Sequence, residues 1–529
     1  MAVIITNIKS SVAEEAESIV KKALKKISVR EDEVKKSGIY KSSLDARKQS
    51  DIHFVHSVYA ELENTSAEKK LCEKISFCQY IDSEVKSPVI CRDEYKGRVA
   101  VIGFGPAGLF CALVLSENGY KPIVFERGEP VDDRARSVDG FWNGGSLNIN
   151  SNVQFGEGGA GTFSDGKLTT RIKDPFCRYV LNSFVEFGAP EEILTKAKPH
   201  IGTDKLRSVI KKMREKIIEN GGEIHFNSTV TDFETKNGKI CRLKTSEGSF
   251  DAAAVVLAVG NSARDTFEML FSKNIMMQPK PFSVGVRIEH LQEDVNESLY
   301  GTFKNNPFLP PGEYQLSYRD REGNGVYTFC MCPGGMVVPS ASEENTVVTN
   351  GMSEFARDGK NANSAVAVSV SEKDFGSSPL DGMYFARELE RKAFELAGKN
   401  YKAPATTVGG FMDNRPSLDS CITPTFARGL SECSFNSLFS ERINSMLSAG
   451  LNDFGRKMKC FKKRDAVMTA PETRTSAPLR ILRNENLVSP SLSNLYPCGE
   501  GAGYAGGITS AAVDGIKTAY RIMECYSPE

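Results

Sequence analysis

The chain has 529 residues, with Lys plus Arg and Asp plus Glu both at 67, so its formal net charge is zero. That length gives a prior of about three domains at roughly 150 residues each, and the balanced charge offers no global field that would favour nucleic acid or an acidic membrane. No run of eighteen or more apolar residues occurs and the opening MAVIITNIKSSVAEEAES carries no export pattern. The chain therefore reads as soluble and cytoplasmic. Its 13 scattered cysteines, without paired CxxC spacing, argue against structural disulfides and against a zinc site.

Residues 1–95 read as a small α+β domain. Val3 to Ile8 form a strand, and Val12, Ala16, Ile19, Val20, Ala23, Leu24 and Ile27 recur at the spacing of an amphipathic helix. Ile52, Phe54, Val58, Ala60 and Leu62 then alternate as a strand with one wet face. The unit is basic, from Lys21 and Lys22 to Arg47 and Lys48. Without interleaved aromatics this suits a solvated face better than an RNA-binding one.

At Arg98 the character changes. Val99 to Ile102 is a buried-strand run that leads directly into Gly103-Phe104-Gly105-Pro106-Ala107-Gly108 and a helix bearing Ala112, Leu113 and Leu115. The three glycines serve a tight turn, a close approach of backbone to pyrophosphate, and close packing of helix on strand. The helix N-terminus supplies free N–H groups for the phosphates. A second strand, Pro122 to Phe125, ends at Glu126, where a carboxylate meets the adenosine ribose hydroxyls, with Arg127 beside it. This is a dinucleotide fingerprint; its acid disfavours a 2′-phosphate but leaves NAD and FAD both open.

Later segments favour FAD. Glu223 to Phe226 is a short strand, a two-stranded excursion turns at Asn237-Gly238, and Ala252 to Gly260 is a late buried strand. In flavoproteins with two dinucleotide domains such a strand ends beside the nucleotide, which marks Ala258 and Gly260, with Val230 at the adenine end. Residues 276–470 form a domain of short strands, including Phe282 to Ile288, Val326 to Cys330, Thr346 to Thr349 and Ala365 to Val370. They suggest an antiparallel sheet with a substrate face, followed from 416 by a mainly helical stretch. Residues 471–529 return to glycine-rich α/β character. There Gly499-Glu500 is placed, as in such flavoproteins, to set a carboxylate on the ribitol, and Gly506, Gly507 and Ile508 open a helix that aims its N-terminus at the flavin pyrimidine ring.

These segments, together with Gln154 to Leu168, His200 to Asp204, Arg287 to His290 and Cys330 to Gly335, make the chain resemble the uncharacterised FAD-dependent, or NAD(FAD)-utilising, dehydrogenases of glutathione-reductase type. The resemblance spans nearly the whole chain. It implies FAD and an α/β fold: a Rossmann-type, glutathione-reductase-like FAD-binding domain in two parts (96–275 and 471–529), an inserted antiparallel-sheet substrate domain (276–470), and the small N-terminal domain ahead of them. It implies no particular substrate. Gly158, Gly159, Ala160, Gly161 and Thr162, within Gly156 to Ser164, form a second glycine-rich element suited to run along the flavin or its phosphates.

Arg287, His290 and Arg474 are candidates to bind an anionic substrate or to stabilise reduced flavin, with ordinary salt bridges as the competing reading. Cys330 and Cys332 flank Met331 at a strand end. In a continuing strand they share a face with Cα atoms roughly 6.5 Å apart, near the upper edge of about 6.8 Å for a disulfide, so a strained redox bridge competes with two inert thiols. The expected activity is hydride or electron transfer through non-covalent FAD to an unknown small molecule. One fingerprint leaves NAD(P)H, if used, as a transient donor. A flavin monooxygenase is the enzymatic alternative, and a flavin-bearing RNA-binding or scaffold protein the non-enzymatic one.

Overall fold

The computed structural model describes residues 2–81, 87–91 and 97–528, so the expected domain boundary at 95 lies outside the described residues. The N-terminal unit runs β-α-β-β-α-β: strand Ala2–Ser10, helix Ala16–Lys26, strands Val34–Asp45 and His53–Leu62, helix Thr65–Lys74 and strand Cys78–Ile81. The strands form one antiparallel sheet with Val34–Asp45 at its edge, next to His53–Leu62, then Ala2–Ser10, then Cys78–Ile81. Ile19, Ala23 and Leu24 of the first helix pack on Val3, Ile5, Val58 and Ala60, while Lys21, Lys22 and Lys25 face solvent. Val12, expected in the helix, precedes it. Strand Val34–Asp45 has no apolar alternation in VKKSGIYKSSLD, so periodicity gives no sign of it.

The second unit is built on five parallel strands in the order Leu495–Pro497, Ala254–Leu257, Val99–Ile102, Ile123–Phe125, Glu223–His225. Strands Val99–Ile102 and Ala254–Leu257 are buried at every residue, as expected of parallel strands covered on both faces. Their side chains divide by the two-residue period. Val99, Val101, Ala254 and Val256 meet helices Pro106–Glu117, Thr203–Glu219 and Ile508–Cys525. Ala100, Ile102, Val255 and Leu257 meet Val230, Phe233, Ile240 and Leu243, which belong to an antiparallel excursion of Val230–Lys236, Lys239–Thr245 and Gly248–Asp251.

The third unit is a seven-stranded sheet in the order Ser317–Arg319, Gly325–Cys332, Asn361–Val370, Phe282–Leu291, Val467–Glu472, Ala403–Thr407, Leu430–Glu432. Phe282–Leu291 and Asn361–Val370 pair along their whole length, and helices Asp381–Leu396 and Glu441–Lys457 share their apolar core. Strand Val467–Glu472 crosses position 470, where the sequence suggested a domain edge. The stretch 416–470 holds one long helix, Glu441–Lys457, and is otherwise mostly irregular, because Pro416, Pro424 and Gly429 interrupt its first part. The strand expected from Thr346 begins at Thr349, in the hairpin Met336–Pro339 with Thr349–Met352. Among the described residues no helix is long and apolar enough to cross a membrane.

Candidate functional site

A cavity of about 1280 Å³ runs between the parallel sheet and the seven-stranded sheet. At one end the strand Val99–Ile102 releases the chain into the glycine fingerprint. Gly103 has φ 96°, and a Cβ there would lie 2.4 Å from the Ala258 carbonyl oxygen. A Cβ on Gly108 would lie 2.0 Å from the Gly103 carbonyl oxygen, so only glycine lets the helix start pack so closely. Gly105 differs: its Cβ would meet nothing nearer than the Gly159 Cα at 3.7 Å, because it faces the cavity. The helix Pro106–Glu117 begins there with no side-chain cap, leaving its first N–H groups for an anion.

Glu126 is buried at the end of strand Ile123–Phe125 and accepts backbone N–H groups from Phe104 (2.8 Å), Gly128 (3.0 Å) and Gly156 (3.0 Å). Its carboxylate thus ties the fingerprint to the second glycine-rich element. A carboxylate has about four acceptor sites, which leaves roughly one for a ribose hydroxyl. Arg127, also in the lining, donates to Asp265 at 2.9 Å and lies 4.4 Å from the centre of the Phe155 ring.

The second element is braced from behind. Arg134, fully buried, donates to the carbonyls of Asn152, Val153, Gly156 and Glu157. The Gly158 N–H bonds to the Phe104 carbonyl at 2.9 Å. Gly158 and Thr162 form this support; Gly159, Ala160 and Gly161 line the cavity. Val230, Ala258 and Gly260 line the same wall.

At the other end stand Glu500 and the start of helix Ile508–Cys525, where Gly506, Gly507 and Ile508 face the cavity. Gly499, behind them, donates its N–H to Asp514 at 2.7 Å, and Arg483 holds that carboxylate through two further bonds. Glu500 accepts from Asn261 Nδ2 at 2.8 Å. Burial pushes its carboxyl up to about 7, against the Asn261 hydrogen bond and the nearby Lys280 charge.

The residues suggested for catalysis separate. Arg287 is fully buried outside the cavity lining, paired bidentately with Glu472 (2.9 and 2.7 Å) and donating to Asn363 and the Cys330 carbonyl. It is a structural ion pair without an open donor face. His290 is fully buried against Phe461, ring centres 4.7 Å apart, and burial pushes its pKa down to about 3; it is a neutral core residue. Arg474 lines the cavity and is held by Glu390 at 2.8 and 3.0 Å, while its buried Nη1 has no partner.

Cys330 and Cys332 do not continue a regular strand. Pairing with Asn361–Val370 goes from Phe329–Ala365 to Cys332–Asn363, one residue too many on the cysteine strand, and Cys330 has φ 45°. The extra residue is a bulge, and a left-handed cysteine costs about 1–3 kcal/mol. Its effect is to turn Cys330 into the cavity while Cys332 stays fully buried. Both thiols are free.

Lys167, Asn261 and Arg134 are further residues of this site. Lys167 lines the cavity beside Asp165 at 3.5 Å. Sequence reasoning passed over it because its place depends on Asp165, Arg357 and the bulge strand, which come together only in the fold.

Residues 281–475 match the family described as FAD-dependent protein, C-terminal domain-like, residues 205–355 match FAD dependent oxidoreductase, and residues 2–61 match a domain of unknown function. A protein of Clostridium beijerinckii described as uncharacterized is 47% identical over 529 residues, 99% of each chain. Among solved structures, glycine oxidase from Bacillus cereus ATCC 14579 is 12% identical with a TM-score of 0.34, over 82% of this chain and 99% of that one. NikD, an amino acid oxidase of nikkomycin biosynthesis, is 12% identical with a TM-score of 0.35, over 81% and 93%. The chain thus belongs to one family with the uncharacterized Clostridium beijerinckii protein, and its matches to FAD-dependent domains across residues 205–475 make it an FAD-dependent oxidoreductase, an enzyme with FAD as its cofactor.

Proposed function

We propose that FAD lies along the cavity in the glutathione-reductase-type manner. Its adenosine half would rest on Gly103–Gly108 and Glu126, its ribitol at Glu500, and its flavin between the helix start at Gly506–Ile508 and the strand Gly325–Cys332. The chain is then a dehydrogenase or reductase that passes a hydride or electrons to a small molecule entering from the seven-stranded sheet. The observation that carries this reading is continuity: one cavity joins the fingerprint, the second glycine element, Glu500 and a face of the other sheet.

FAD supplies the redox chemistry, and the chain supplies orientation and electrostatics. The uncapped start of helix Ile508–Cys525 favours negative charge beside it. A ribitol hydroxyl donating to Glu500 would offset the burial of that carboxylate. With a single fingerprint, NAD(P)H would act as a transient donor, and 13 free cysteines suit a reducing, cytoplasmic setting. Anaerobic addition of NADH or NADPH to the yellow protein should bleach the flavin without any aromatic or amine substrate present. Bleaching that needs a hydroxylatable substrate would favour a monooxygenase instead.

A further inference from the structure

Cys330 sits at the meeting of three features. Its bulge, at φ 45°, turns it into the cavity. The Cys332 thiol lies behind it, with Sγ donating to the Cys330 carbonyl at 3.3 Å, and that carbonyl also accepts from Arg287 Nη1 at 3.1 Å. Lys167 lines the same cavity, and its charge acts on both thiols. Asp165, the nearest acid to Lys167, is already engaged by Arg357 through Nε at 2.8 Å and Nη2 at 2.5 Å. One carboxylate therefore faces two cations, and Lys167 keeps positive charge for the sulfurs.

The two thiols are unlike. The neighbouring Cys332 thiol, Lys167 and Arg287 hold the Cys330 thiol below its ordinary range, while the Cys330 neighbour and burial push Cys332 up. A thiolate beside a protonated thiol is the starting state for joining the two sulfurs. Cys330 and Glu500 line the same cavity, and the charge of Cys330 acts on the Glu500 carboxyl.

We infer that Cys330 and Cys332 are a redox dithiol that exchanges two electrons with FAD, so that the enzyme's substrates include thiols or disulfides reaching Cys330 through the cavity. The inference rests on the placement of FAD proposed above. In the oxidising direction the Cys330 thiolate and the Cys332 thiol join in one S–S bond. The Cys332 S–H bond breaks, and its proton leaves with two electrons as a hydride equivalent that oxidised FAD accepts. In the reducing direction the same bond opens and Cys330 is free to attack a disulfide in the cavity.

The test uses the full FAD-loaded chain. Anaerobic titration with dithionite, followed by flavin absorbance, should consume four electrons per FAD in the wild type and two in Cys332→Ser and in Cys330→Ser. In the wild type alone, alkylation with iodoacetamide under denaturing conditions should leave the tryptic peptide 322–357, which holds both cysteines, unlabelled when oxidised and doubly labelled when reduced. Two electrons per FAD with both cysteines labelled in both states would overturn the dithiol, and so would four electrons with labelling unchanged. A protein that holds no FAD, or whose flavin dithionite fails to bleach, would instead overturn the cofactor placement.

Discussion

Arg287 shows how a residue typed for chemistry can be used for cohesion. Its guanidinium spends its fork on Glu472 and its remaining donors on Asn363 and a carbonyl, all inside the seven-stranded sheet. Removing one member of a buried pair leaves the other charge uncompensated, at a cost of about 3–5 kcal/mol. Arg287→Leu should therefore lower the unfolding free energy read from urea denaturation by that order, and Arg287→Leu with Glu472→Leu should recover part of it. Equal stability of the single variant and wild type would refute a structural role. The cation was visible in the strand pattern, but its partner lies 185 residues further on, and nothing local in Arg287 to His290 distinguishes an ion pair from a substrate anchor. His290 is the same case, since the ring that claims it belongs to Phe461.

Glu500 titrates within reach of experiment. Its folded pKa is raised by burial, from an ordinary value of 4.5 to about 7. The folded apo-protein thus holds a proton that the unfolded chain releases, and the contribution to stability is full below the ordinary value and lost as pH rises through about 7. Melting temperatures of the FAD-free protein, measured from about pH 5 to pH 8, should fall more steeply in the wild type than in Glu500→Gln. Parallel curves would mean that this carboxyl is hydrated in the empty cavity and carries no such proton.

Elements were legible where one segment contains its own reason. Val99–Ile102 is continuously apolar, runs into three spaced glycines and precedes a strong helix former, so strand, turn and helix support one another. The glycines make this testable at separate positions. Gly105→Val fills space that opens on the cavity, with nothing nearer than 3.7 Å to its Cβ; the chain should fold with nearly unchanged apo stability and fail to retain FAD. Gly108→Ala drives a Cβ to within 2.0 Å of a carbonyl oxygen, so the helix must shift and both melting temperature and FAD content should drop. Full FAD occupancy in the Gly105 variant would remove the fingerprint from the site. The bulge at Cys330 was not legible in the same way, because it arises from the pairing count against Asn361–Val370, to which the run around Cys330 gives no clue. Strand Val34–Asp45 was missed for a related reason: its side chains are mostly half-buried and do not alternate, and its order comes from a neighbour on each side.

At the scale of the whole molecule, those neighbours explain how the N-terminal unit is joined to the parallel-sheet unit. Val34–Asp45 is an edge strand, and edges invite another chain segment to pair. Here the Ser42 N–H bonds to the Thr195 carbonyl at 2.7 Å and the Ala197 N–H to the Ser42 carbonyl at 2.8 Å. The Ser42 hydroxyl is fixed by His56 Nδ1 at 2.7 Å, and the other ring nitrogen meets Ser10 at 2.8 Å, so a buried imidazole positions the docking residue from within its own sheet. Arg178 adds a contact over the Tyr40 ring at 5.5 Å, and Gln49 reaches the Ser298 carbonyl of the third unit at 3.1 Å. The segment that receives the edge continues into Lys198, which lines the cavity, so docking and site share one stretch of chain. Ala197→Pro removes a single interdomain donor and leaves both domain cores and the His56 bonds untouched. A lost hydrogen bond of this kind costs about 0.5–1.5 kcal/mol. Amide hydrogen exchange across Val34–Asp45 should quicken in that variant while exchange in Val99–Ile102 and FAD content stay as in the wild type. Unchanged exchange in the edge strand would show that the contacts of Tyr40 and Gln49 hold the domain without this pairing, and loss of FAD would show that docking sets the shape of the cavity wall.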